Sequence, residues 1–286
     1  MRCWICGGVA ARLFEKHGHW ICECSGCRHR FCALRPDTNH AAQVYDDSYF
    51  QGGGAGYPDY FGEADLLVKH GERYGQLLAR YTRPGRVLDV GAAAGFILKG
   101  LHNTGWSGKG VEPNARMAQH ACSALGLDVQ AGALEQLEAG EQFDLVSMVQ
   151  VVAHFYDIQQ AFKAAAAATK PGGYWLIETW NQASFVARML GPGWHEYSPP
   201  SVLHWFSPAT LRQFVGQFGF SEVARGKPSK WLNGAHVKSL LGYKLNGSAL
   251  QHPTAAMLRL MPDGMPIPYP TFDLFWALYR KDSAQA

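Results

Sequence analysis

Val87-Leu88-Asp89-Val90-Gly91-Ala92-Ala93-Ala94-Gly95 is the stretch that decides the fold of this 286-residue chain. Val87, Leu88 and Val90 read as a short buried strand, and the run of glycine and alanine behind them reads as a sharp turn into a helix from about Gly95. Small side chains at such a turn let backbone N–H groups come within contact distance of a ligand at the helix start. A dinucleotide fingerprint would require glycine at 91 and 93 and glycine or alanine at 96. Ala93 and Phe96 stand at the last two, so a nicotinamide cofactor is not indicated.

Working outward, short apolar runs alternate with helical stretches. The strands are expected at Arg86–Val90, Lys109–Glu112, near Val129, Phe143–Val149, Tyr174–Thr179, Phe220–Ala224 and Phe272–Tyr279. Helices are expected over Glu63–Tyr81, from Pro113 to Gly126, after Asp157 up to Lys170-Pro171-Gly172-Gly173, and from Ser207-Pro208 to Phe218, with a helical look for Trp231–Leu245. This is the pattern of an α/β chain: a doubly wound, seven-stranded, mostly parallel sheet covered on both faces. Gly52–Gly56 reads as a connector. The division expected is 1–45 as a small module, 46–82 as connector and first helix, and 83–286 as the main domain, with about 226–270 as a lid over the acceptor.

Six of the seven cysteines fall within the first 32 residues. Cys3-x2-Cys6 and Cys24-x2-Cys27 are separated by 17 residues, the spacing of a four-thiolate zinc site built from two knuckles around a short hairpin in Arg12–Ile21. Gly7-Gly8 and Gly26 would loosen the two turns. The alternative is a set of buried free thiols. Cys22, Cys32, His17, His19 and His29 are left over as spare or substitute ligands. Four thiolates close the coordination sphere, so the expected Zn2+ is structural and supplies folding energy to a segment too small for a core of its own.

Composition narrows the rest. A formal charge of +3 with Lys and Arg scattered singly lacks the basic stripe of a nucleic-acid binder, and no apolar run reaches the length of a membrane span or signal peptide, so nucleic acid is not supported, no membrane contact is expected and a cytoplasmic location is.

The turn at 89–95 resembles the first motif of class I S-adenosylmethionine (AdoMet)-dependent methyltransferases, Asp-x-Gly-x-Gly-x-Gly, with Asp89, Gly91 and Gly95 kept and Ala93 in the middle place. Phe143-Asp144-Leu145-Val146 and Lys170–Gly173 look like the family's fourth strand and the turn before its fifth, and the resemblance covers roughly residues 60–281. The paired cysteines look like those of a bacterial subset of the family. In that subset a Glu-His pair follows the fourth strand, where this chain has Gln150-Val151-Val152-Ala153-His154, with alanine for Glu; Pro199–Ser207 looks like its Pro-x-His-Leu stretch. The resemblance implies cofactor contacts for Asp89, Gly91, Ala92, Gly95, Glu112, Ala133, Leu134, Met148 and Gln150, with Glu112 clasping the ribose. A carboxylate suits that task because it accepts two hydroxyl hydrogen bonds at once.

AdoMet carries its methyl on a positive sulfur, so the protein needs to align an acceptor, exclude water and, for some acceptors, take up a proton. His154 and His204 follow strands at the carboxyl edge of the sheet and are the candidate bases, with His195 and Glu178 behind them. Tyr45, Tyr49, Phe50, Tyr57 and Tyr60 before the core, and Phe155, Tyr156, Trp180, Trp194 and Trp205 after it, are candidates to wall the sulfonium. The function expected is methyl transfer to oxygen or carbon of a small-molecule acceptor. The alternatives are an RNA or protein methyltransferase whose zinc module binds the polymer, though the Asn/Asp-Pro-Pro-Tyr/Phe motif of base amino methylation is absent after Ser147-Met148-Val149-Gln150, and a non-catalytic zinc- and AdoMet-binding protein.

Overall fold

The computed structural model describes residues 1–51, 59–138, 140–245 and 261–282. The expected connector at Gly52–Gly56 and Tyr57 lie outside the described residues. The N-terminal part holds β1 (Ala10–Lys16), β2 (His19–Cys24), β3 (Arg30–Cys32), α1 (His40–Val44) and α2 (Asp47–Gln51). The main domain then runs α3 (Ala64–Leu78), β4 (Arg86–Val90), α4 (Phe96–Asn103), β5 (Ser107–Glu112), α5 (Ala115–Leu125), β6 (Asp128–Ala131), β7 (Phe143–Val149), α6 (Ile158–Ala167) and β8 (Thr169–Trp180). It continues with α7 (Phe185–Leu190), β9 (His204–Trp205), α8 (Pro208–Gly216), β10 (Phe220–Gly226), β11 (Trp231–Leu232), α9 (Gly234–Leu245), β12 (Ile267–Pro268) and β13 (Leu274–Lys281).

Seven strands form one sheet in the order β10-β13-β8-β7-β4-β5-β6. Val87 and Leu88 are fully buried because both faces of β4 are covered, which is why the strand reads as an unbroken apolar run. β13 is antiparallel to both its neighbours, and the other six strands share one direction. The chain enters at β4, winds outward through β5 and β6, then crosses back to β7 and β8. Such a reversal opens a crevice at the carboxyl ends of the strands. Helix α3 presses onto α4 where Gly71 and Gly100 meet: a Cβ at Gly71 would stand 2.3 Å from the Ile97 carbonyl oxygen. That close approach holds His70 and Tyr74 of α3 against the end of β8.

Several boundaries differ from expectation. Asn114, not Pro113, opens α5, its side chain accepting from the Met117 N–H at 3.0 Å. Lys170–Gly173 lies inside β8, where an irregular register against β7 absorbs it. The last strand starts at Leu274, leaving Phe272 exposed before it. Trp231–Leu232 pairs with β12 before α9 begins.

The largest departure concerns the module. Its hairpin β1–β2 forms as expected, but the sheet adds β3 and then a fourth strand from far along the chain: β9 pairs with β3, Phe31 opposite His204. Ile5, Ala10 and Phe31 also join the core cluster of the main domain. Gln159 and Gln217 of the main domain donate to the carbonyls of Trp4 and Ile5 at 2.8 and 3.0 Å. The module's sheet thus borrows a strand from the main domain.

Candidate active site

A cavity of about 870 Å3 opens at the carboxyl ends of the central strands. That is at the upper end of the range for small-molecule pockets, about 300–1,000 Å3, and gives room for a cofactor and a small acceptor together. Its walls divide along the sheet, with the turn after β4 and the ends of β5 and β6 on one side, the ends of β8, β11 and β12 on the other, and the end of β7 between.

On the first side Gly91, Ala92, Ala93, Glu112, Ala133 and Leu134 line the cavity. Gly91 sits at φ +66°, and a Cβ there would meet Val151 Cγ1 at 2.4 Å, so the turn admits only glycine without strain. Glu112 ends β5 with each carboxylate oxygen fixed by a backbone N–H: Ala93 donates to Oε2 and Asn114 to Oε1, both at 2.8 Å. Burial raises its pKa to about 6, and those two N–H groups pull the other way. Because each oxygen has a second lone pair, the carboxylate can still accept two hydroxyls from a ligand in the cavity. Glu135, also on the wall, accepts from the Tyr156 N–H at 3.0 Å and is raised to about 7 by burial.

Three expected contacts lie off this wall. Asp89 is 2 % exposed and does not line the cavity; burial raises it to about 7. Gly95 caps α4 at φ +85°, and a Cβ there would crowd Leu127 and Ala121, so it serves helix packing. Met148 is fully buried in the core, and the wall is made by its successors Val149 and Gln150.

Of the two candidate bases, His204 is misplaced. It belongs to β9 in the module sheet, its Nδ1 3.4 Å from His29 Nε2, and burial lowers its pKa to about 3. Ser198, Ser201 and Val202 of the preceding segment line the cavity, whereas His204 and Trp205 pair with β3, where Leu203 and Trp205 complete the module core. His154 does line the cavity, but its Nδ1 lies 2.8 Å from both Tyr45 Oη and the Ser201 carbonyl, and the Gln150 carbonyl also bonds the ring. Burial lowers its pKa. These contacts make it a brace joining β7 to Tyr45, whose hydroxyl donates to Ser201 O at 2.6 Å.

The second side is built around Glu178, a lesser candidate in the sequence, together with His70, Tyr74 and Lys230, which the sequence does not single out for the site. Glu178, fully buried, accepts from Gln150 Nε2 at 2.6 Å, from His70 Nε2 at 2.9 Å and from the Tyr74 hydroxyl. Burial alone would raise its pKa, but His70, Lys230 and Gln150 hold it down at about 2. Lys230 Nζ stands 5.5 Å from the ring centroids of both Trp180 and Tyr269. Lys16 and His17, the tip of the module hairpin, also line the cavity. Among the expected aromatics Tyr45, Tyr49, Phe50, Tyr60, Phe155, Tyr156 and Trp180 are on the wall. Trp194 and Trp205 are buried away from it, their indole N–H groups donating to Asp273 and to the Glu196 carbonyl. Of the lid expected at 226–270, Lys230, Trp231, Leu232, His236 and Tyr269 line the cavity, while residues 246–260 lie outside the described residues.

The four cysteines of the paired motifs converge. Their sulfurs all lie within 4.8 Å of one another, with 3.6 Å between Cys3 and Cys27 and 3.5 Å between Cys6 and Cys24. A zinc tetrahedron with bonds of about 2.3 Å has edges of about 3.8 Å, so the donors fit such an ion. The tight turns are made by Gly7 at φ +69° and Arg28 at φ +63°, not by Gly26. Cys22 and Cys32 are buried in β2 and β3, outside the cluster.

A family profile described as "Methyltransferase domain" matches residues 68–224, more than half of the chain. The chain belongs to the methyltransferase-domain family. Among curated relatives, a ubiquinone biosynthesis O-methyltransferase from Azorhizobium caulinodans is 31% identical over 182 residues, 56% of this chain and 68% of that protein. One of the same name from Bradyrhizobium diazoefficiens is 33% identical over 129 residues, 40% of this chain and 51% of that protein. The chain thus spans from about half to two thirds of these relatives. In structure it is similar to a SAM-dependent methyltransferase from Thermotoga maritima, with a TM-score of 0.51 and 20% identity over 78% of this chain and 93% of that one, which bears on the fold. Family, relatives and fold together identify an AdoMet-dependent methyltransferase. Among the described residues no helix is long and apolar enough to cross a membrane.

Proposed function

We propose that this methyltransferase moves the methyl group of AdoMet to a heteroatom of a small, hydroxyl-bearing acceptor held in the second half of the cavity. The observation that carries the reading is Glu112, a buried carboxylate whose two oxygens are aimed by Ala93 and Asn114 N–H groups at the edge of a glycine-alanine turn. In this reading the ribose hydroxyls bond Glu112, the methionine end lies along Gly91–Ala93, and the adenine lies by Ala133 and Leu134. The O-methyltransferase names of the relatives support an oxygen acceptor, and a cavity of about 870 Å3 suits a small molecule.

AdoMet supplies an activated methyl, and the chain's own work is to bind, align and exclude water. Tyr45, Tyr49 and Tyr60 cover the cofactor side, with Asn114 Nδ2 donating to the Tyr45 carbonyl at 2.9 Å. Cys3, Cys6, Cys24 and Cys27 would hold a structural Zn2+ whose module lends Lys16 and His17 to the cavity rim. Calorimetric titration with S-adenosylhomocysteine (SAH) tests the reading: one site per chain is expected, weakened at least about 10-fold in Glu112→Ala, as loss of hydrogen bonds to a charged group implies. Absence of binding by the unaltered protein would remove the enzymatic reading altogether.

A further inference from the structure

Gln150 directly follows β7, the strand lying between the cofactor side and the acceptor side of the cavity, and it holds a left-handed backbone, φ +62°, that non-glycine residues rarely adopt. Such strain persists where surrounding contacts hold it, and it clusters at functional sites. Here its N–H donates to the Glu178 carbonyl at 2.9 Å, and its side-chain amide reaches the Glu178 carboxylate at 2.6 Å.

An amide has a donor end and an acceptor end, and a carboxylate can only accept. Glu178 is ionised: burial opposes this, but His70, Lys230 and Gln150 keep its pKa at about 2. Its other oxygen is taken by His70 and by the Tyr74 hydroxyl. The second ring nitrogen of His70 lies 3.3 Å from the Ser229 carbonyl, which ties the ring to the segment carrying Lys230. The NH2 end of Gln150 is therefore committed to Glu178. Its Oε1 has no hydrogen-bond partner among the described residues, although Gln150 is on the cavity wall.

The geometry points to Gln150 Oε1 as the hydrogen-bond acceptor for the nucleophile of the methyl acceptor, with Glu178, His70 and Tyr74 as positioning residues that keep the oxygen facing the cavity. This rests on the AdoMet reading above and deepens it. A carbonyl oxygen rewards a nucleophile that arrives carrying hydrogen, a hydroxyl or an amine, and offers nothing to a carbanion. The acceptor class is thus heteroatom donors, and methylation at carbon is disfavoured.

Phenol and anisole, of similar shape, differ in whether they carry an O–H, and both can be titrated into the SAH-saturated protein. Phenol is expected to bind at least about 10-fold more tightly than anisole, as one satisfied cavity oxygen implies. Gln150→Met, which keeps the side chain's length and removes both amide ends, should bring the two ligands within about twofold. Glu178→Gln should reduce the preference as well, because a carboxamide can face Gln150 with either end and no longer fixes its orientation; thermal melting confirms that each variant is folded. Equal binding of phenol and anisole by the unaltered protein, or no binding of either, overturns the inference, as does a 10-fold loss of SAH affinity in Gln150→Met, which would assign the oxygen to the cofactor. Failure of SAH to bind the unaltered protein at all would instead strike the proposed function. Should Gln150→Met not fold, the Glu178→Gln comparison decides alone.

Discussion

Replacing Cys24 by serine removes one of four converging sulfurs, and its effect can be estimated. Structural zinc sites of this kind contribute about 10–16 kcal/mol of apparent binding free energy, comparable to the whole stability of an ordinary domain at about 5–15 kcal/mol. A quarter of that, about 2.5–4 kcal/mol, is a floor for losing one thiolate. The loss is not confined to the hairpin, because β3 pairs with β9 and the Cys32 N–H donates to Leu203 O at 2.8 Å. For a chain of this size about 2–4 °C accompanies each kcal/mol, so the melting temperature should fall by roughly 5–16 °C. Metal analysis of freshly reduced protein should find about one zinc per chain before the substitution and much less after it, and hydrogen exchange should quicken in β1–β3 and at the Cys32 amide. A metal-free parent protein whose melting temperature moves by less than about 2 °C on substitution would refute the reasoning.

Gly91→Ala places a Cβ 2.4 Å from Val151 Cγ1 on a backbone at φ +66°, and should cost about 2–4 kcal/mol in denaturant unfolding and weaken SAH binding; unchanged midpoints would show that the turn is not so constrained. Tyr45→Phe loses the 2.6 Å hydrogen bond to Ser201 O and should weaken SAH about fivefold by calorimetry, an effect that vanishes if the α1–α2 segment plays no part in closing the cavity. The pH response follows from carboxyls raised by burial: Asp89 and Glu135 to about 7 and Glu112 to about 6. The native state then binds more protons than the unfolded chain, so the ligand-free protein should lose stability as pH rises from about 5 to about 7, each pH unit between ordinary and raised values being worth about 1.4 kcal/mol per group. Glu178, held at about 2, contributes in the opposite sense but only below the ordinary carboxyl range, so it leaves this window untouched. SAH affinity should rise through pH 6 as Glu112 ionises, and a flat profile would deny that carboxylate its role.

What could be read from the sequence was local. The apolar runs at 86–90 and 143–149 announce strands buried on both faces, and Glu112 is found by counting from the glycine turn to the end of the next strand. The paired cysteines likewise carry their own spacing. What could not be read depends on contacts between distant segments. Nothing in Pro199–Ser207 says that it will complete a sheet begun by Arg30–Cys32, and so His204 was assigned to the cavity when it packs against His29. His70 and Glu178 meet across 108 positions through the close approach of α3 and α4, which only the small residues at 71 and 100 hint at. Met148 and Gln150 share a strand end, and which of them faces core or cavity depends on how β7 finishes, at a residue with positive φ that strand alternation does not anticipate.

The most direct measurement is a crystal structure of the SAH complex. Both ribose hydroxyls should lie within about 3 Å of the Glu112 carboxylate oxygens, with the sulfur facing the part of the cavity bounded by Gln150. A nucleoside bound elsewhere, or with its sugar turned away from Glu112, would contradict the account.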